Sequence, residues 1–422
     1  MSVLGVGPVV DTGRAEGAAA ALRSTTAVRE RARQLLGRAR QGESRWFTVH
    51  DDALPTAAEE VVDVTRVRYP DLKIPFHSRW RHFEAGGVDR KAELDERLKA
   101  QDTAARARAM IDLAVVSVLL DAGAGPDWQY HEEASGQGFA RSEGLGVASW
   151  HAFAGGIFSS DATHPLRVDA DGLRALRADR LADAFQVGPA NPLVGLEGRV
   201  LVLRRLGEAL AAQPEVFGPQ GRPGGLFDAL VERGPGRSTG TVAAHDILSQ
   251  LLTSMSGIWP AGNAVGTLLL GDCWRHEAVS GPGLTDGWMP FHKLSQWLSY
   301  SLLEPFQWAG VQVVGLDALT GLPEYRNGGL LLDTGVLRLR DPAWAARSWT
   351  VSDEVVVEWR ALTVSLLDEL APLVRDQLGV DDTRMPLACV LEGGTWAAGR
   401  ALAQRLRGGL PPLSIFSDGT VF

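Results

Sequence analysis

Apolar residues recur at helical spacing through the first two-thirds of the chain, then give way to short strand-like runs. The pattern predicts an amphipathic helix over residues 26–39 and a shorter one over 59–68. Residues 90–120 read as one or two helices. They start charged and turn almost wholly apolar from Met110, which suits an end buried in the core. Asp121-Ala-Gly-Ala-Gly-Pro126 stops the run with glycine and proline. Further helices are expected over 169–184 and 195–213. Residues 218–240, rich in Gly, Pro and Arg, read as a mobile surface loop flanking a short helix at 226–232.

The last third changes character. Residues 291–303 read as a helix closed by Glu304-Pro305. Residues 329–332 and 336–340 read as two short strands around an Asp-Thr-Gly turn, a β-hairpin. Residues 354–377 form a long predicted helix with Ser352 or Asp353 as its N-cap. An apolar strand over 387–391, a Gly-Gly-Thr turn, a helix over 396–407 and a strand over 413–416 make a small βαβ unit. The expected fold is α+β and predominantly helical. A mainly helical lobe over 1–245 and a site-bearing α+β lobe over 246–422 would pack as one compact unit.

Charge and composition narrow the function. The 422 residues carry a formal net charge of -9, which argues against a nucleic-acid surface. Two cysteines, Cys273 and Cys389, give neither a disulfide framework nor a CxxC zinc pair. No apolar run approaches the roughly 18 residues a membrane span needs. The opening residues lack the basic and apolar regions of a signal peptide. The expectation is a cytoplasmic enzyme with a small-molecule substrate, no nucleic-acid or membrane partner and an oligomeric state left open. The phosphate-loop, zinc-protease, nucleophile-elbow and complete dinucleotide fingerprints are missing, so no cofactor and no metal are expected.

Candidate chemistry concentrates in residues 290–339. Lys293, Gln296, Trp297, Tyr300 and Glu304 share one helix face by their three- and four-residue spacing. Such a face borders a polar pocket or is a partly exposed ionic network with snorkelling side chains. Lys293 is one of only four lysines, and Tyr300 and Tyr325 are two of only four tyrosines, which favours the pocket. The loop Gly321-Leu-Pro-Glu324-Tyr325-Arg326-Asn-Gly-Gly329 packs an acid, a phenol and a guanidinium among turn residues. It reads as a ligand loop, or as an exposed loop with a weak ion pair. Asp333-Thr334-Gly335 resembles half of an aspartic-protease signature, but a helix-rich chain with one such loop fits hairpin chemistry better.

Upstream, His77-Ser-Arg79-Trp-Arg81-His82-Phe-Glu84 is the densest cationic and aromatic cluster. Its arginines suit a phosphate or carboxylate, and His82 or Glu84 suits acid–base work. Gly393-Gly394-Thr395 before a helix offers backbone N–H groups to an anion, or is a plain strand-to-helix turn. Asp272 is a third candidate carboxylate beside a core cysteine.

The segments PFHSRWRHFEAGG, LLDAGAGPDWQY, FHKLSQWLSYSLLEP, LTGLPEYRNGGLLLDTGVL and LEGGTWAAGR, with the terminal SDGTVF, resemble the uracil-catabolism protein family of the fungal and bacterial URC pathway. The resemblance runs from about Thr26 to the C-terminus. It implies a place in a pathway that opens the pyrimidine ring of a ribonucleotide and leaves a ribosylurea to be broken down to urea. Glu324-Tyr325-Arg326 and the helix over 354–370 are also similar to elements of the queuosine-salvage nucleotide N-glycosylases, which implies a helical glycosylase-like core.

Together these imply hydrolysis of the N-glycosidic bond of ribosylurea 5-phosphate. Glu324 or Asp333, with Asp272 third, would serve as the catalytic carboxylate. Arg79, Arg81, Lys293 and Arg326 would hold phosphate or ribose, and Trp297, Tyr300 and Tyr325 would wall the sugar. His82 and the Gly393-Gly394-Thr395 turn would reach the same substrate from distant parts of the chain. The alternatives are another hydrolase acting on a ring-opened product, or a non-catalytic nucleotide-binding regulator.

Overall fold

The computed structural model describes residues 11–231, 240–259 and 262–416. In chain order the first helices are α1 (Ala15–Leu22), α2 (Thr25–Arg40), α3 (Leu54–Arg68), α4 (Trp80–Phe83), α5 (Arg90–Arg97) and α6 (Thr103–Leu119). Next come α7 (Arg141–Ala154), α8 (Ala170–Arg174), α9 (Ala178–Ala184), α10 (Leu196–Ala211), α11 (Pro214–Phe217) and α12 (Gly225–Leu230). The last six are α13 (Ala244–Met255), α14 (Lys293–Trp308), α15 (Tyr325–Asp333), α16 (Glu354–Leu378), α17 (Leu387–Val390) and α18 (Trp396–Arg407). The fold is α+β and predominantly helical, with strands only in two-stranded pairs among the described residues.

Local chemistry explains several boundaries. The Ser24 hydroxyl accepts from Ala27 N at 3.1 Å and starts α2. Asp89 and Asp102 do the same for α5 and α6 by accepting from Ala92 N at 2.8 Å and Ala105 N at 2.7 Å, so the predicted run over 90–120 is two helices. The 169–184 run likewise divides into α8 and α9. Residues 232–239 of the expected mobile loop, and the terminal SDGTVF segment, lie outside the described residues.

Two predicted strands, over 329–332 and 387–391, are helical instead, so neither predicted unit forms. The 329–340 hairpin does not form: Tyr325–Asp333 is α15, whose Leu330 and Leu331 are fully buried. Leu337–Leu339 instead pairs antiparallel with Phe47–Val49, far away in sequence. The C-terminal βαβ unit is also absent. Leu387–Val390 is helix α17, and Leu391–Thr395 is a π-helical turn that runs straight into α18. Ser414–Phe416 pairs in parallel with Ser348–Thr350, a partner outside the predicted unit. A short apolar run reads the same as a strand or a buried helix, and tertiary burial decided for helix here.

α14 runs on through Pro305 to Trp308 rather than stopping at Glu304-Pro305. Proline has no N–H for the carbonyl four residues back, Ser301. The Trp80 indole donates to that carbonyl at 2.9 Å, so the orphan acceptor is satisfied from α4. The 25-residue α16 packs on α2 and α3, α6 packs on α14, and α15 packs on α18. One core cluster reaches from Leu36 to Leu413. No described helix is long and apolar enough to cross a membrane.

Candidate active site

The N-terminus of α14 is set by Asp272. Its backbone carbonyl accepts from Phe291 N at 2.9 Å and His292 N at 3.1 Å, and its side chain accepts from Lys293 N at 2.9 Å. Arg360 of α16 grips the same carboxylate with two contacts of 2.8 Å, and the Trp274 indole adds a third donor at 2.7 Å. Burial alone would raise the carboxyl's pKa. The Arg360 guanidinium and these donors outweigh it and hold Asp272 at about 2. Asp272 is therefore a fixed anion that orients Lys293.

Arg360 also reaches across to Pro323 O at 3.2 Å, which ties the same anchor to the start of α15. Glu324 is the N-cap there. Its carboxylate accepts from Arg326 N at 2.8 Å and Asn327 N at 2.6 Å, which locks its orientation. Desolvation pushes the Glu324 carboxyl above its ordinary value, against those two bonds and the charges of Lys293 and His77. Burial lowers Lys293, and Glu324 is the leading charge that opposes it. Lys293 and Glu324 thus stand at two helix starts, each charge opposing the other's burial.

The α4 segment docks on the middle of α14. Arg79 N donates to the Ser301 hydroxyl at 2.9 Å, and the Ser78 hydroxyl donates to Glu304. The fully buried Arg79 side chain donates to Ser117 at 2.6 Å and to Ser142 O and His82 Nδ1 at 3.1 Å each, with Asp121 at 3.3 Å. Among the described residues its Nη2 has no hydrogen-bond partner, and neither does the buried Trp297 Nε1. The Trp297 ring lies one helical turn beyond Lys293. It is 5.6 Å from the Arg79 guanidinium carbon, 5.7 Å from the His82 ring and 6.5 Å from the His77 ring. His77 Nδ1 meets Glu392 at 2.8 Å, and Glu392 also accepts from Arg68 at 2.8 Å and from the Tyr69 hydroxyl at 3.1 Å. Those partners outweigh burial and hold Glu392 at about 2. Burial, with the nearby charges of Arg79 and His77, drives His82 well below the ordinary imidazole value.

The site lies within a stretch with recognisable relatives. A family model described as a protein of unknown function (DUF1688) matches residues 21–422. The chain belongs to the DUF1688 family. It is 38% identical over 411 residues to Protein urg3 of Schizosaccharomyces pombe, covering 96% of this chain and 98% of that protein. It is 40% identical over 377 residues to Uracil catabolism protein 4 of Lachancea kluyveri, covering 83% of this chain and 85% of that protein.

Not every predicted residue of this DUF1688 chain meets at the site. Asp333 is held by Arg407 through contacts of 2.7 and 2.6 Å at the far end of α15, so the structure does not bring it to Lys293. Tyr300 is a core residue whose hydroxyl donates to Thr320 O at 2.9 Å, so it walls no open space. Arg326 turns to the Gly409 carbonyl at 3.4 Å and lies 4.6 Å from the ring of its neighbour Tyr325, whose phenol is raised by burial. Arg81 is shared between Glu304 at 2.8 Å and Glu84 at 3.1 Å. Gly393, Gly394 and Thr395 lie inside the π turn and make no helix N-terminus. A Cβ on Gly394 would come within 2.5 Å of Val61 O and the Thr65 hydroxyl, so the glycine serves close packing on α3.

Sequence reading passed over Asp121, Arg360 and Glu392. Asp121 was legible only as a helix stop, and Glu392 stood unremarked beside the glycine pair. Among the described residues no cluster of three or more His, Cys, Asp or Glu side chains is arranged to hold a metal ion. A groove of about 660 Å³ opens elsewhere, lined by Arg29, Arg33, Asp317, Asp368 and Arg375. Its Arg29 and Arg33 both lie against Asp368, at 2.8 and 4.0 Å, whereas Arg79 Nη2 and Trp297 Nε1 are buried donors without partners among the described residues.

Proposed function

We propose that this protein acts in uracil catabolism and hydrolyses the N-glycosidic bond of ribosylurea 5-phosphate to urea and ribose 5-phosphate. The relative named Uracil catabolism protein 4 supports the pathway. The observation that carries the chemistry is the clamped Glu324 carboxylate, raised by burial against the opposing charge of Lys293. Water adds to the anomeric carbon, the C–N bond breaks, and the departing urea nitrogen gains a proton. Glu324 is placed to position that water or to stabilise positive charge on the sugar, and its fixed orientation limits reorganisation. Lys293 and Arg79, whose Nη2 has no partner among the described residues, are the cations that suit the phosphate. Trp297 supplies an apolar wall that keeps bulk water away.

The test is direct. Purified protein incubated with ribosylurea 5-phosphate is expected to release urea and ribose 5-phosphate in equal amounts, and E324Q is expected to release them far more slowly. No product from the wild type, or equal rates from E324Q, would overturn the reading.

A further inference from the structure

The groove of about 660 Å³ lies between α2, the C-terminal half of α16 and the segments at 315–317 and 382–387. Its size falls within the roughly 300–1,000 Å³ of small-molecule sites. It shares no residue with the Lys293–Glu324 site. Three arginines and three aspartates line it, but they are not paired off. Arg29 is used up: Nε meets Asp368 at 2.8 Å, and its other nitrogens hold Ala318 O at 3.2 Å and Leu319 O at 2.7 Å. Arg33 is exposed and comes no closer than 4.0 Å to Asp368. Arg375 is half-buried and anchored by its Nε, which donates to Met385 O at 2.8 Å. Its two terminal nitrogens bond to nothing among the described residues. Burial lowers its pKa, and Asp382 and Asp376 oppose that by charge without touching it. Asp317 and Asp382 make no side-chain hydrogen bond or ion pair among the described residues.

These groups set what completes the groove. An exposed arginine is served by water, but a half-buried guanidinium without a contact anion is short of a partner. Its planar edge matches two oxygens of a phosphate or carboxylate, and Arg33 adds a second cation. The free carboxylates of Asp317 and Asp382 act the other way. They accept from hydroxyl or N–H groups and repel a bare anion. The ligand therefore carries an anionic group and, apart from it, hydroxyl donors; a carboxylate on a ribose hydroxyl is a recurrent way of holding a nucleotide's sugar. Val313, Leu316 and Leu387 add an apolar wall for a flat, uncharged part. We propose that this groove is a second small-molecule site, built for a nucleoside 5′-phosphate, with phosphate on Arg375 and Arg33, ribose hydroxyls on Asp317 and Asp382, and the base against the apolar wall. The proposal does not depend on hydrolysis at Glu324.

Titration calorimetry of the full chain with uridine 5′-monophosphate and adenosine 5′-monophosphate tests this. At least one is expected to bind, and more tightly than its parent nucleoside, ribose 5-phosphate or inorganic phosphate. R375Q and R33E are each expected to weaken that binding by about tenfold or more, as the loss of a hydrogen bond to a charged group does. R33E carries the test if R375Q fails to fold, because Arg33 is exposed. Wild type is expected to prefer the nucleotide to its 2′,3′-dideoxy counterpart, and D317N/D382N to lose that preference. E324Q is expected to bind as wild type does. Neither nucleotide binding, or inorganic phosphate or ribose 5-phosphate binding as tightly, overturns the proposal. So does binding that E324Q loses and R33E keeps, which would assign the nucleotide to the hydrolytic site. Nucleotide binding in the groove without cleavage of ribosylurea 5-phosphate sinks hydrolysis alone, and cleavage with no nucleotide bound sinks the groove alone.

Discussion

Asp272 and Glu324 both act on Lys293 and differ in what their oxygens are free to do. Both Asp272 oxygens are taken by Arg360, with Trp274 and Lys293 N filling the remaining directions. Each Glu324 oxygen holds one backbone N–H and keeps a lone pair. D272N should leave the buried Arg360 charge half-paired and cost roughly 3–5 kcal/mol, read as a lower urea midpoint. E324Q should cost about 1 kcal/mol as a weakened cap and lower kcat/KM by about 10²–10³-fold. If both variants lose stability alike and activity follows stability, Glu324 is only a cap. Sequence alone left Glu324 and Asp333 level and put Asp272 third. The partners that remove Asp272 and Asp333 from chemistry, Arg360 and Arg407, lie 88 and 74 residues away. Glu324 was legible because its partners are local.

At the scale of elements, the site depends on a helix that continues past a proline. Pro305 frees the Ser301 carbonyl, Trp80 takes it, and the docking of Trp80 brings Arg79 and His82 against Trp297. W80F keeps the ring and removes the donor, so a buried carbonyl is left without its partner. The expected loss is about 1–3 kcal/mol by chemical denaturation. P305A restores a backbone N–H four residues on and should recover part of that loss in the W80F background. If P305A adds no stability there, the carbonyl is satisfied some other way and Trp80 acts by packing alone. The long helices were readable from their period and caps. The misread elements were runs of four or five apolar residues, where length is too short for periodicity to speak and distant packing decides. The π turn at Leu391–Thr395 had no sequence signal beyond its glycines, which read equally well as a turn.

Across the whole molecule, ion pairs join segments that lie far apart in the chain. Asp272–Arg360 ties the start of α14 to α16, and Glu392 ties the π turn to His77 and to Arg68 at the end of α3. These two carboxylates hold the two walls of the site, so the site and the fold should fail together in acid. Both are depressed in the folded state, to about 2, from ordinary values of 3.8 and 4.5. A depressed carboxyl contributes fully above its unfolded value and loses that contribution as pH falls through the folded one. Stability should therefore hold from neutral pH down to about pH 5 and then fall steeply toward pH 2, by on the order of 2 kcal/mol for each group. E392Q removes one of the titrations. Its urea midpoint should be lower than wild type at pH 7, and its decline between pH 5 and pH 2 should be shallower. Parallel wild-type and E392Q curves over that window would mean that Glu392 does not bind its proton differently in the folded and unfolded chains, and that His77 is held by packing and not by the carboxylate.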